Sequence, residues 1–138
     1  KAPKIHLADS GFAAHLCGIT SAADLAKSDR FGNLLEAFVV GELRKMGGWS
    51  RTVAEAYHFR TEAAREVDVV LEDAAGRVVG IEVKASASIG HHDLLGLKQL
   101  REAAGSKWVR GIVLHSGTGI TGFGADLHAV PMSALWSW

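Results

Sequence analysis

The sequence predicts an α/β domain, a mixed β-sheet flanked by helices in two or three layers. Three observations carry this. Residues 65–84 alternate as a β-hairpin, residues 29–46 and 93–104 repeat apolar side chains at helical spacing, and strand-like runs surround both.

Taken in order, Lys4–Ala8 reads as a short strand, and Ser10–Gly11 turns into a small helix around Phe12–Leu16 that Asp9 can cap. Ser21–Ser28 reads as either a helical turn or a loop. From Asp29 to Met46 the helical signal is strong: Ser28 or Asp29 caps, Leu35, Phe38, Val39, Leu43 and Met46 recur every three or four residues, and Gly47-Gly48 ends it. Glu36 shares a stripe with Val39, Val40 and Leu43, so its carboxylate points toward the packed side or sits at the stripe's edge and reaches solvent. A buried carboxylate needs a cation, donors or a metal.

Trp49–Val53 reads as a loop or edge strand and Ala56–Arg60 as a strand. Next, Val67, Val69 and Leu71 alternate with Glu66, Asp68 and Val70, and Val79, Ile81 and Val83 with Gly80, Glu82 and Lys84. With Ala74-Ala75-Gly76 as the loop and Gly76 at positive φ, Glu72 faces Val78, Asp68 faces Glu82 and Glu66 faces Lys84. Asp93 should cap a helix carrying Leu94, Leu97, Leu100 and Ala104 that Gly105 stops, with Lys98, Gln99 and Arg101 on its polar sides. Trp108–His115 reads as an interior strand, Asp126–Val130 as another, and Pro131 opens a last short helix where Leu135, Trp136 and Trp138 can cover the sheet.

The hairpin carries the chemistry. Two carboxylates about 4 Å apart repel by roughly 4 kcal/mol at an effective dielectric near 20, so Asp68 and Glu82 need a cation. Lys84 is one candidate; a hard divalent ion such as Mg²⁺ is the other, taking oxygens from Asp68, Glu82 and the Val83 carbonyl and leaving positions for water and phosphate. Lys84 would then orient or deprotonate the attacking water. The plainer reading is a solvated strand face with an ordinary ion pair.

Asp68 followed by Glu82-Val83-Lys84 is the D…(D/E)-x-K pattern of the PD-(D/E)XK nuclease-like superfamily. With Lys4–Gly11, Gly32–Val39, His58-Phe59-Arg60 and Val130-Pro131 before Leu135-Trp136, the chain resembles the DUF4143 domain, found at the C-terminal end of a family of bacterial and archaeal AAA+-type ATPases. The resemblance spans about Lys4 to Trp136. It implies a PD-(D/E)XK restriction-endonuclease-like fold, one nuclease-like domain over residues 1–138, and an ATPase module in the same chain as partner. It also implies Glu36 as an acidic residue approaching the metal, and Arg60, Lys98 and Gln99 as candidate phosphate contacts. A surface Arg60 paired with Glu62, and a solvated helix face for Lys98 and Gln99, remain the plain alternatives.

Composition bounds these readings. A chain of 138 residues with 48% hydrophobic content suits one compact core. Formal net charge is zero, which counts against tight independent DNA binding, since phosphate neutralisation supplies most non-specific affinity. The single cysteine, Cys17, excludes an internal disulfide and reads as a small buried apolar residue. His91-His92 lacks a third ligand at metal spacing, and the remaining histidines show no metal or triad spacing. Residues 116–124 contain G-x-G-x-x-G, but a strand and not a helix should follow, so nucleotide binding is rejected in favour of a flexible hairpin loop. No stretch reaches membrane-span length and no signal peptide precedes the first strand, so the cytoplasm is expected. The opening Lys1-Ala2-Pro3, without Met, suits a fragment of a longer protein.

Two functions follow. One is a Mg²⁺- or Mn²⁺-dependent nuclease-type domain that hydrolyses phosphodiesters in DNA, with Asp68, Glu82 and the Val83 carbonyl on the metal, Lys84 acting on the water and Glu36 assisting. The other is a non-catalytic nuclease-like module that docks a partner or regulates the ATPase, its acidic cluster kept as a salt-bridge network.

Overall fold

A computed structural model describes residues 4–61 and 65–137. The chain divides into two compact units, residues 1–50 and 51–138.

The first unit is helical: α1 (Ser10–Leu16), α2 (Ala22–Lys27) and α3 (Phe31–Gly47). Asp9 caps α1 as its sequence suggests, its Oδ1 accepting from the Phe12 amide at 2.7 Å. Ser21–Ser28 resolves as helix, because the Ser21 hydroxyl accepts from the Asp24 amide at 3.1 Å. Helix α3 starts two residues later than expected, since Ser28 Oγ is used on the Arg30 amide in the preceding turn and Arg30 occupies the cap position without a side-chain bond. Of its expected apolar stripe, Val39 is buried and Phe38 is exposed. Lys4–Ala8 is not the expected strand: among the described residues of this unit there is no strand to receive its hydrogen bonds. Cys17 is exposed at the end of α1, not buried, with Arg30 Nη1 3.8 Å from its sulfur.

The second unit is a six-stranded mixed sheet: β1 (Ala54–Arg60), β2 (Glu66–Asp73), β3 (Val78–Lys84), β4 (Trp108–His115), β5 (Thr121–Gly122) and β6 (Leu127–Pro131), in the order β1-β2-β3-β4-β6-β5. β1, β2 and β3 are antiparallel, β3, β4 and β6 run parallel, and β5 returns antiparallel to β6. Gly76 takes φ 75° and Glu72 pairs with Val78, which is the expected turn and register.

Strict alternation fails in β2. Tyr57 pairs with Val70 and Phe59 with Val67, so three residue steps of β2 oppose two of β1. This bulge puts Val67 and Val70 into one core cluster with Val78, Leu94, Leu97, Leu100, Val113, Leu127 and Ala129.

Helix α4 (Leu95–Ala104) bridges β3 and β4, as parallel neighbours require. It begins one residue later than predicted, at Leu95: His91–Leu94 forms a 3₁₀ turn, and Asp93 sits inside it instead of capping from outside. Leu97 and Leu100 lie over Gly80, where a Cβ would meet both Leu Cδ2 atoms at 2.8 Å. The residues after β6 form a 3₁₀ turn over Met132–Trp136; Trp138, expected to help cover the sheet, lies outside the described residues. No helix among the described residues is long and apolar enough to cross a membrane.

Gly96 sets how close α4 comes to β2, since a Cβ there would lie 2.1 Å from the Glu66 carbonyl oxygen. Backbone cannot swing aside as a side chain can. Gly96→Ala is therefore expected to cost about 1–3 kcal/mol, read as a lower urea midpoint at unchanged slope. Gly41→Ala, in α3 with no atom within 4 Å of the added Cβ, should instead stabilise by about 0.5–1 kcal/mol. Equal effects at both positions would contradict this packing.

Candidate functional site

The β2–β3 ladder is regular from Glu72↔Val78 to Val69↔Ile81. Beyond it the two strands no longer exchange backbone bonds, and the Asp68 side chain takes over: its Oδ2 accepts from the Val83 amide at 2.9 Å. The N–H and C=O of one strand residue point to the same edge, so the Val83 carbonyl also faces the opening toward β2.

On β3, Lys84 Nζ lies 2.9 Å from Glu82 Oε1, both side chains largely withdrawn from solvent. Burial of the ammonium opposes its charging, but the hydrogen bond and charge of Glu82, with the charges of Asp93 and Asp68, outweigh that and hold the Lys84 pKa above the ordinary 10.5. A lysine held this way carries its positive charge in the folded chain, with Glu82 as its ion-pair partner. Glu66 and Lys84 are not ladder partners, since the β2–β3 pairing stops at Val69↔Ile81; Glu66 accepts from Arg60 Nη1 at 3.0 Å, across from its β1 neighbour. Glu62, the other partner considered for Arg60, lies outside the described residues.

A cleft of about 340 Å³ opens here, lined by Arg65, Glu66, Glu82, Lys84, His92, Asp93, Leu95 and Gly96. Asp68, Arg60, Lys98 and Gln99 do not line it. Lys98 and Gln99 are half-buried along α4, and Gln99 Oε1 is buried without a hydrogen bond among the described residues. Asp93 is fixed by the Gly90 amide, which donates to its Oδ2 at 2.9 Å, and His92 Nε2 stands 3.2 Å from its Oδ1.

Glu36 belongs to the first unit. It is buried on the stripe with Val39, and Lys4 Nζ lies 2.5 Å and His6 Nε2 3.5 Å from its Oε1. The solvent-reaching alternative is thereby excluded.

The profile of a domain of unknown function, DUF4143, matches residues 31–135. The chain belongs to the DUF4143 family. No curated protein matches this DUF4143 chain. Among solved structures it is similar to a chain of the "refined half-complex from tetradecameric assembly of Thermococcus gammatolerans McrB AAA+ hexamers with bound McrC", at 16% identity and a TM-score of 0.47, over 72% of this chain and 27% of that one. It thus spans well under a third of that chain.

Sequence reasoning placed Glu82, Val83 and Lys84 on one strand and Asp68 on its antiparallel neighbour, as the structure has them. It missed Asp93, read only as a helix cap, although nine positions after the half-buried Lys84 is near enough to return to it. It missed Glu66, Arg65 and His92 as cleft residues, and Gly96, whose place in the first turn of a helix was the one available signal.

For Asp68 the hydrogen bond changes the expectation from relieved repulsion to a capped amide. Asp68→Ala should cost about 1–3 kcal/mol by stranding the Val83 donor, while Asp68→Asn, which keeps an acceptor, should cost less than about 1 kcal/mol. Thermal melts of both variants decide it; equal losses would mean that the carboxylate charge matters and the amide does not. Because the folded Lys84 pKa is raised, its stabilising contribution is complete below the unfolded value of 10.5 and is lost as pH climbs through the folded value. Lys84→Met should flatten the loss of stability above that pH, measured by urea titration across the alkaline range.

Proposed function

We propose that the two units form one PD-(D/E)XK nuclease-like domain, attached to an AAA+-type ATPase module, that hydrolyses phosphodiesters in DNA with Mg²⁺ or Mn²⁺. The observation that carries this reading is the opened β2–β3 edge: Asp68 and the Val83 backbone meet there, with Glu82 and Lys84 turned into the adjoining cleft.

Among the described residues no three His, Cys, Asp or Glu side chains converge as a ready metal cage. The donor chemistry still fits a hard cation, because Mg²⁺ commonly uses one or two carboxylates and completes its shell with water and phosphate oxygens. Asp68, Glu82 and the Val83 carbonyl would hold it, and when bound it would supply Lewis acidity at the phosphoryl group. Lys84, protonated, would stabilise charge developing on the phosphate oxygens and orient water through its remaining N–H groups. Glu36 is the assisting acid that the family resemblance implies; within its own unit Lys4 is its ion-pair partner and His6 Nε2 lies 3.5 Å from the same oxygen.

A second reading rests on a specific observation. Glu66 is paired with Arg60, Glu82 Oε1 with Lys84, and Asp68 Oδ2 accepts from a backbone amide, so each of these carboxylates has a protein partner without a metal. That is what a docking or regulatory module attached to the ATPase would keep.

The test is divalent-dependent nicking of plasmid and single-stranded DNA by the isolated chain and by the ATPase-containing protein. Lys84→Ala should lower cleavage by about 10²–10³-fold while Mn²⁺ binding, followed by paramagnetic broadening, persists. Cleavage absent from both wild-type forms would support the docking reading instead, and cleavage undiminished by the substitution would overturn the role given to Lys84.

A further inference from the structure

Directly after Lys84 the chain is held from the neighbouring strand. Lys84 and His115 are the last Cα partners of the parallel β3–β4 pair. One residue on, Ser116 Oγ donates to the Ala85 carbonyl at 2.7 Å and the Ser116 amide to the Ser86 carbonyl at 3.2 Å. Ser86 Oγ in turn accepts from the Ser88 amide at 3.1 Å and donates to the Ser88 carbonyl at 2.9 Å. Gly117 lies against the same segment so closely that a Cβ would stand 2.6 Å from the Ala87 carbonyl oxygen.

His115 holds the loop that makes these contacts. It is 4% exposed, its Nδ1 accepts from the Gly117 amide at 3.0 Å, and its Nε2 lies 3.1 Å from the Gly119 carbonyl oxygen. A backbone amide can only donate and a carbonyl can only accept. The ring must therefore be neutral, with the proton on Nε2. Its two nitrogens stitch residues 115, 117 and 119 into one compact turn, and that turn is the surface on which residues 85–88 rest.

We propose that His115, Ser116 and Gly117 form a clamp that positions Lys84, with His115 as the residue that shapes it. This rests on the reading of Lys84 as the electrostatic group of the site, and it deepens that reading by adding residues that touch neither substrate nor metal. A lysine has four side-chain torsions, so aiming its ammonium demands a fixed Cα and a fixed exit direction. Glu82 holds the ammonium end. The ladder to β4 and the clamp hold the backbone end. Without the clamp, the chain leaving Lys84 would be a run of small residues, Ala85-Ser86-Ala87-Ser88, with little of its own to order it.

The experiment compares the intact protein with His115→Phe, His115→Asn and Gly117→Ala, without metal or DNA. Amide hydrogen exchange is read by residue, and the reactivity of Lys84 by limiting acetylation and peptide mass spectrometry. In His115→Phe, exchange within residues 85–88, read at the Ser88 amide that Ser86 Oγ holds, should rise about tenfold while residues 69–72 and 78–81 stay protected. Lys84 acetylation should rise on the order of threefold, the gain from one rotamer to three staggered wells. His115→Asn, whose amide oxygen can replace Nδ1 as acceptor, should restore both values toward wild type. A rise confined to residues 116–119, with Lys84 unchanged, overturns the proposal. Should His115→Phe loosen the whole sheet, Gly117→Ala decides: a selective rise at residues 85–88 and Lys84 supports the clamp, and no change or a uniform rise overturns it. Since neither readout involves cleavage, an inactive wild-type protein would sink the nuclease reading and leave this result standing.

Discussion

The site depends on one hydrogen bond, from the Val83 amide to the Asp68 carboxylate. Had the antiparallel ladder continued past Val69↔Ile81, that amide would meet a backbone carbonyl of β2 and the two strands would stay closed. A side chain taking the carbonyl's place keeps the donor satisfied while the strands part, and this is what makes room for a polar cleft at the end of a well-packed sheet. The bulge in β2 works in the same direction. It adds a residue where Asp68 sits, so the core face is kept by Val67 and Val70 while the acidic residue between them serves the strand edge.

Local rules made much of this legible. Gly76, the loop length and the Glu72↔Val78 pairing follow from turn chemistry, which acts within four or five residues and is written there. The span of β4 and the stop of α4 at Gly105 were readable for the same reason. What escaped was set by partners distant in sequence. The bulge arises from how β1 lies against β2, which alternation in β2 alone cannot register. Lys4–Leu7 has strand-like composition, yet composition cannot supply a ladder. His115 looked like one more histidine without metal spacing, because its partners are backbone atoms two and four residues on, and backbone atoms leave no trace in residue type.

The electrostatics of the cleft explain how a chain of zero net charge can gather acidic groups. Glu66, Glu82 and Asp93 line it together with Arg65, Lys84 and His92, so signs are mixed at close range. Such an arrangement has little long-range pull on a polyanion and strong fields over a few ångströms. In the proposed assembly, capture of nucleic acid would therefore fall to the attached module, and the cleft would act only on what is delivered to it.

Helix α4 also has a second anchor, at its far end. Asp126 bonds the Trp108 indole at 2.7 Å and Arg101 at 3.3 Å, and its own carbonyl receives the Gly111 amide at 2.8 Å. With Gly96 seated on the Glu66 carbonyl at one end and Arg101 tied through Asp126 to β4 at the other, the helix resembles a beam built in at both supports. A beam so fixed bends little at either end under thermal load. Adaptation of the cleft to differently shaped occupants must then come from rotation of individual side chains along its rim, and its floor will present the same outline to each of them.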